Sequence, residues 1–180
     1  TNDCTLLDAV HLNGPLSITG RLQKTKITAA ATHRHFSITT QTLTLKYIIL
    51  AGADISTQTA SNVVGGAVYI NGAGTLNALS CVFTSNKAST GGAIYAKAGA
   101  SINLNLTSVN SNMATGRGGA IYIENSDIIL ADAQVRNNQG SNGGAIYAQS
   151  GATVRLQHSN MTDNIATADG GVIYIKDASS

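Results

Sequence analysis

An asparagine recurs four times at intervals of 26 residues, closing the same short phrase each time: Phe83-Thr84-Ser85-Asn86, Val109-Asn110-Ser111-Asn112, Val135-Arg136-Asn137-Asn138 and Met161-Thr162-Asp163-Asn164. Five glycine pairs keep nearly the same beat, at Gly65-Gly66, Gly91-Gly92, Gly118-Gly119, Gly143-Gly144 and Gly170-Gly171, with a drift of one or two residues between copies. A period of this length restricts a chain to stacked units, none of which can bury its apolar face without a neighbour.

The apolar residues inside each period alternate and do not follow a helical spacing. In Ile102-Asn103-Leu104, Ile128-Ile129-Leu130 and Val154-Arg155-Leu156 the outer two residues are always apolar, the mark of a strand with one buried face. A second strand follows each glycine pair: Ala67-Val68-Tyr69-Ile70, Ala93-Ile94-Tyr95-Ala96, Ala120-Ile121-Tyr122-Ile123, Ala145-Ile146-Tyr147-Ala148 and Val172-Ile173-Tyr174-Ile175. A third, shorter one runs into each asparagine. Three short strands per repeat, with no long amphipathic helix, predict an all-β fold: a right-handed parallel β-helix, or solenoid, with coils of about 26 residues.

We read 1–180 as one β-helix domain, with irregular coils over 1–61 and regular coils over 62–180. The early strands are expected at Leu16-Ser17-Ile18-Thr19, Lys26-Ile27-Thr28-Ala29, His35-Phe36-Ser37-Ile38 and a long run from Leu43 through Leu50, with Pro15 at an entry turn. The stretch 51–64 exceeds the equivalent later turns and is either a binding loop or a neutral bulge. The chain stops at Asp177-Ala178-Ser179-Ser180, soon after the last recognisable strand, so we expect part of a longer polypeptide or a subunit that stacks on another copy.

Stacking gives the repeated residues their roles. Asn86, Asn112, Asn138 and Asn164 should form a column, because asparagine tolerates left-handed backbone angles and its amide can pair with an identical amide one coil away. The glycine pairs suit corners that need positive φ or close backbone approach. Five copies with no following helix do not resemble a phosphate-binding loop. Alternation should turn Tyr69, Tyr95, Tyr122, Tyr147 and Tyr174 outward as an aromatic ladder, a candidate interface for another chain or for the sugars of a glycan; the other reading leaves the rings half buried under turns.

Composition narrows the functions. Only 11% of residues are charged, and the basic residues form no stripe interleaved with aromatics, so nucleic-acid binding has little support. No apolar run reaches the length of a membrane-spanning helix. Cys81 takes the place held by Thr107, Ala133 and Ser159 and should point inward, coils away from Cys4, which argues against a bridge. Asn105-Leu106-Thr107 and Asn160-Met161-Thr162 are glycosylation sequons at Asn105 and Asn160.

Enzymes built on stacked coils need clustered acids. Asp163 lies one coil beyond Asn137 with Arg136 and Arg155 nearby, while Asp127 and Asp132 have Ile102 and Leu106 at roughly the preceding-coil places, so no two acids align. His33-Arg34-His35 could bring two imidazoles to one side of a strand but lacks a third ligand, and no motif calls for a metal or cofactor. Thr90, Thr115 and Thr167 precede glycine pairs, but Gly140-Ser141 breaks the row that ice binding would require.

The phrases Gly-Gly-Ala-Ile and Phe-x-x-Asn resemble the repeat hallmarks of the chlamydial polymorphic outer membrane proteins and of related repeats in surface proteins of bacteria and protists. Gly91-Gly92-Ala93-Ile94 and Phe83 to Asn86 fit the pattern fully; the other copies put Val or Met in place of Phe. The resemblance covers roughly 62–175 and implies a pectin-lyase-like β-helix in an extracellular, adhesive or surface-structural protein, without a catalytic site. The expected function is therefore non-catalytic: an extracellular or cell-surface solenoid that contacts other protein chains, laterally or end to end, or glycans. The alternatives are a polysaccharide-binding or polysaccharide-active β-helix and, third, an ice-binding protein.

Overall fold

The computed structural model describes residues 3–30, 32–58 and 63–176. Its strands run parallel in four sheets that wind through about six turns of a β-solenoid, with successive regular coils 26 residues apart. The chain end at 177–180 and the expected boundary between 61 and 62 lie outside the described residues.

Each regular coil has four strands, one more than expected. After Val68–Asn71 come Thr75–Leu79, Val82–Thr84 and then the two-residue Lys87–Ala88, which recurs as Met113–Ala114, Gln139–Gly140 and Ile165–Ala166. Two residues are too few to show alternation, so the sequence reading merges them with the turn. We name the four faces by their content. The tyrosine sheet runs from Val10–His11 to Ile173–Lys176, and the long-strand sheet from Leu16–Thr19 to Thr153–Gln157. The phenylalanine sheet runs from Cys4–Leu6 to Asn160–Thr162, and the narrow sheet holds the two-residue strands.

Side chains at equivalent places stack. Leu50, Phe83, Val109 and Val135 form one inward column, and Leu43, Leu76, Ile102 and Ile128 another, all essentially without solvent contact. These columns fill the interior with branched and aromatic side chains, and their burial is the main favourable term holding the coils together.

The run Leu43 to Leu50, expected as one strand, breaks at Tyr47 into Thr42–Lys46 and Ile48–Ala51, which belong to different sheets. Tyr47 takes a left-handed φ of 55°, and Ser80, Leu106, Asp132 and His158 occupy the same corner in later coils with φ of 48–51°. The corner is hidden in the sequence because Leu45 and Ile48, on either side of it, both point inward. Two further strands, Cys4–Leu6 and Val10–His11, start the first coil.

The 51–64 stretch lengthens its coil: Leu50 pairs with Phe83, 33 residues on. The extra chain is packed against the wall, with Ile55 and Val63 forming a small cluster with Ala88 and Asp54 lying 3.7 Å from Lys87. Residues 59–62 of it lie outside the described residues.

Candidate functional site on the tyrosine sheet

The asparagines form a buried column. Nδ2 of Asn86, Asn112 and Asn138 donates to Oδ1 of the next asparagine at 3.1, 3.0 and 2.9 Å. The same Nδ2 atoms also donate to the backbone carbonyls of Leu50, Phe83 and Val109, and Asn164 does so to Val135. Each acceptor Oδ1 in turn takes the backbone N–H of the preceding asparagine. Left-handed geometry, expected at the asparagines, sits one residue earlier, at Ser85, Ser111, Asn137 and Asp163, with φ of 54–56°. That residue turns the chain so that the asparagine amide points into the core. The column therefore holds coils together and presents nothing to a ligand.

The glycine pairs divide their work. Gly65, Gly91, Gly118, Gly143 and Gly170 carry φ between 59° and 68°. At Gly66, Gly92, Gly119 and Gly144 a Cβ would strike a backbone carbonyl of the next coil, that of the following pair's second glycine. Gly171 meets nothing at the described end. The drift of the pairs has two locations that offset each other. Asn86 and Asn138 precede their glycine pairs by five residues, whereas Asn112 and Asn164 precede theirs by six. The additional residue before Gly118 sits in the corner after the narrow sheet and is offset in the next corner, where two residues join Ile121–Glu124 to Asp127 against three between Ile94–Lys97 and Ser101, so the asparagines keep strict time while the glycines slip.

Tyrosine rings stack along the outer side of their sheet. Centroids of Tyr69, Tyr95, Tyr122, Tyr147 and Tyr174 lie 5.7, 4.7, 5.4 and 5.2 Å apart in order, with interplanar angles of 25° or less. They point away from the core, opposite to Val68, Ile70, Ile94 and Ala96. They do not make an open apolar face: Tyr122 and Tyr147 are only 4% and 2% exposed, and the other three are half-buried. Each ring covers its neighbours, and the guanidinium of Arg117 lies 5.2 Å over the Tyr147 ring. Tyr122 Oη donates to Glu124 Oε2 at 3.1 Å. Burial, then the charge of Glu124, pushes the Tyr95 phenol up to about 12 and raises that of Tyr122 further.

Two more residues share this column. Register places Ser37 beside Tyr69 and His11 beside Ser37, so the outward file reads His11, Ser37, Tyr69 and onward. The guanidinium of Arg34, from the corner before Phe36–Ile38, lies 4.8 Å over the Tyr69 ring, and Ser37 stands beside Tyr69 where a further ring would otherwise be. Sequence reasoning missed both arginines and the first two members, because Arg34 and Arg117 lie in corners with no shared phase.

The other candidates are dispersed. Cys81 is buried, its Sγ donating to the Leu79 carbonyl at 3.3 Å, Cys4 is exposed, and both thiols are free. Asn105 and Asn160 are exposed at strand ends. Asp127 stacks on Ser101, not on Ile102, since the long strand begins one residue earlier than the alternation shows. Arg136 lies on the phenylalanine sheet and Arg155 on the long-strand sheet, so these two do not flank Asp163 together. His33 and His35 do not share a strand side. His35 is fully buried with Nε2 3.0 Å from the Ile27 carbonyl, and His33 Nδ1 lies 3.1 Å from Asp8 at the surface. Among the described residues no three His, Cys, Asp or Glu side chains group as metal ligands. The hydroxyl file Thr42, Thr75, Ser101 on the long-strand sheet is interrupted by Asp127.

Residues 80–97, 107–124 and 132–149 match the Chlamydia polymorphic membrane protein repeat. Each match spans one asparagine of the column, one glycine pair and the tyrosine strand that follows it. No curated protein and no solved structure matches the chain. The chain is thus a parallel β-solenoid, and three of its coils carry stretches that match the Chlamydia polymorphic membrane protein repeat.

Proposed function

We propose that the chain is a non-catalytic, surface-displayed β-solenoid that acts through contacts of its flanks and coil ends with other protein chains. The repeat's membrane-protein name supports an outer-membrane or cell-surface location. The observation that carries the reading is how the polar repeat residues are used. Asn86, Asn112 and Asn138 are buried and saturated by hydrogen bonds between coils, and the glycines are consumed by corners, which leaves variable outer positions for recognition.

The test is labelling of intact source cells with a membrane-impermeant biotin ester, together with a cell-attachment assay using the purified chain. We expect labelling without lysis and saturable attachment that excess unlabelled chain competes. Labelling only after lysis would overturn the location, and attachment equal to that of an unrelated β-solenoid would overturn the contact role.

A polysaccharide-binding reading is favoured by one place. On the long-strand sheet Asn103 Nδ2 donates to Asn77 Oδ1 at 2.9 Å, and a shallow cleft of about 260 Å³ includes both, with Thr44, Lys46 and Asn105. A glycan array followed by a turnover assay on any hit separates binding from catalysis there.

A further inference from the structure

The long-strand sheet carries a second pair of stacked asparagines, and it differs from the buried column in what it leaves unspent. The middle outward file of that sheet reads Ser17, Thr44, Asn77, Asn103, Ile129 and Arg155. Asn103 Nδ2 donates to Asn77 Oδ1 at 2.9 Å, and among the described residues this is the one hydrogen bond that either side chain makes. Asn112 in the buried column spends far more: its Nδ2 donates both to Asn138 and to the Phe83 carbonyl, and its Oδ1 accepts two N–H groups of Asn86. Asn77 and Asn103 are half-buried, so their remaining N–H groups and lone pairs face a shallow cleft of about 260 Å³. Beside them runs the file Lys46, Leu79, Asn105 and Ala131. Leu79 is thus an apolar side chain on the outer face, set between a lysine and an asparagine, and it lines the same cleft.

We propose that this cleft binds the acetamido group of an N-acetylated amino sugar within a glycan chain; this names a ligand class for the polysaccharide-binding reading of the same place and rests on that reading. An acetamido group brings one N–H and one carbonyl, and the asparagine pair offers an acceptor and a donor side by side. A carboxylate brings acceptors alone and would set an oxygen against Asn77 Oδ1, while a plain hydroxyl gives Leu79 no apolar partner. Leu79 lies two residues along the strand from Asn77 and on the same side, roughly 7 Å away, so an amide held by the asparagines can lay its methyl group on the leucine. Thr44 and the ammonium of Lys46 stand at the margin as partners for ring hydroxyls. The cleft is smaller than sites that enclose a whole ligand, roughly 300–1,000 Å³, so it takes the acetamido arm and one edge of the ring. The glycosidic oxygens then stay in solvent, where a longer glycan can continue.

The test is NMR titration of the whole chain with the methyl glycosides of N-acetylglucosamine and N-acetylgalactosamine, against methyl glucoside and the peptide-like amide N-acetylalanine methylamide. We expect at least one acetylated glycoside to shift the side-chain amides of Asn77 and Asn103 and the methyl groups of Leu79. Methyl glucoside should bind more weakly by roughly tenfold or more, the scale of two ordinary hydrogen bonds. Asn103→Ile copies the residue that Ile129 puts at the same place one coil on, so the coil should still fold, and the acetylated sugar should lose a similar factor. Equal binding of methyl glucoside at these residues would overturn the acetamido assignment and leave the polysaccharide-binding reading standing. The peptide-like amide binding as tightly as the acetylated sugars would overturn the assignment to a sugar. Absence of shifts at Asn77, Asn103 and Leu79 with every glycoside would overturn both readings. The wild-type shifts locate the site even if the variant fails to fold.

Discussion

Asn112 sits between two like amides, and each of its polar atoms is committed: Oδ1 to the N–H and Nδ2 of Asn86, Nδ2 to Asn138 and the Phe83 carbonyl. Asn112→Ala leaves several buried groups without partners, so we expect a loss of roughly 3 kcal/mol or more in denaturant unfolding. Asn164→Ala should cost less, because Asn164 is partly exposed and water can replace what is lost; equal losses at the two places would contradict this account. His35 makes a different prediction. Burial pushes its pKa down to about 4 from 6.5, with the Ile27 backbone opposing, so the folded state holds the neutral ring. The stabilising effect is complete above pH 6.5 and is lost as the pH falls towards 4, where the unfolded chain takes up a proton that the folded chain refuses. The shift corresponds to roughly 3 kcal/mol. Denaturant unfolding at both ends of that window should show this loss in the wild type and a much smaller one in His35→Phe. The asparagine column was legible in the sequence because it repeats. His35 was not: a single histidine next to Phe36 carries no phase, and the sequence reading put it with His33 on one side of a strand.

At the scale of strands and corners, the tyrosine file shows what alternation can and cannot tell. It places the rings opposite the core, as the neighbouring Val68, Ile94 and Ile146 require, but says nothing about what covers them. Burial follows from strand spacing of about 4.8 Å, which stacks like rings face to face, and from corner residues such as Arg117. Tyr95 and Tyr122 should ionise well above pH 10 in an ultraviolet absorbance titration, and Glu124→Gln should lower the Tyr122 transition by removing the adjacent charge. An unchanged transition would show that burial alone sets it. The corners give a sharper test. Gly92→Ala drives a Cβ into the carbonyls of Gly119 and Met113, both backbone atoms in a neighbouring coil that cannot swing aside. We expect a loss of about 2 kcal/mol or more by thermal or denaturant unfolding. Gly14, whose Cβ would meet nothing, should accept alanine with little change. The narrow sheet escaped sequence reading for want of length, and the bend at Tyr47 for want of a break in the apolar pattern.

At the scale of the whole molecule, strands of the described residues pair with those of adjacent coils, so stability should behave as a sum over units and their interfaces. Deleting 113–138 removes one whole winding and joins Asn112 to Gln139 in the phase that Asn138 now has. The shortened chain should keep its β-sheet circular dichroism with a modestly lower melting temperature. A deletion of half that length should abolish cooperative melting, because it would slide every inward side chain out of its file; survival of both would contradict the stacking. The corner after the narrow sheet, where one coil carries a residue more than the next, has its own consequence. A residue gained there keeps the timing of the asparagines when the corner after the tyrosine strand gives one up, so natural variation in length can gather, in compensating pairs, along the two seams that flank the tyrosine sheet. Related chains could differ in whatever those seams touch and still wind on the same frame.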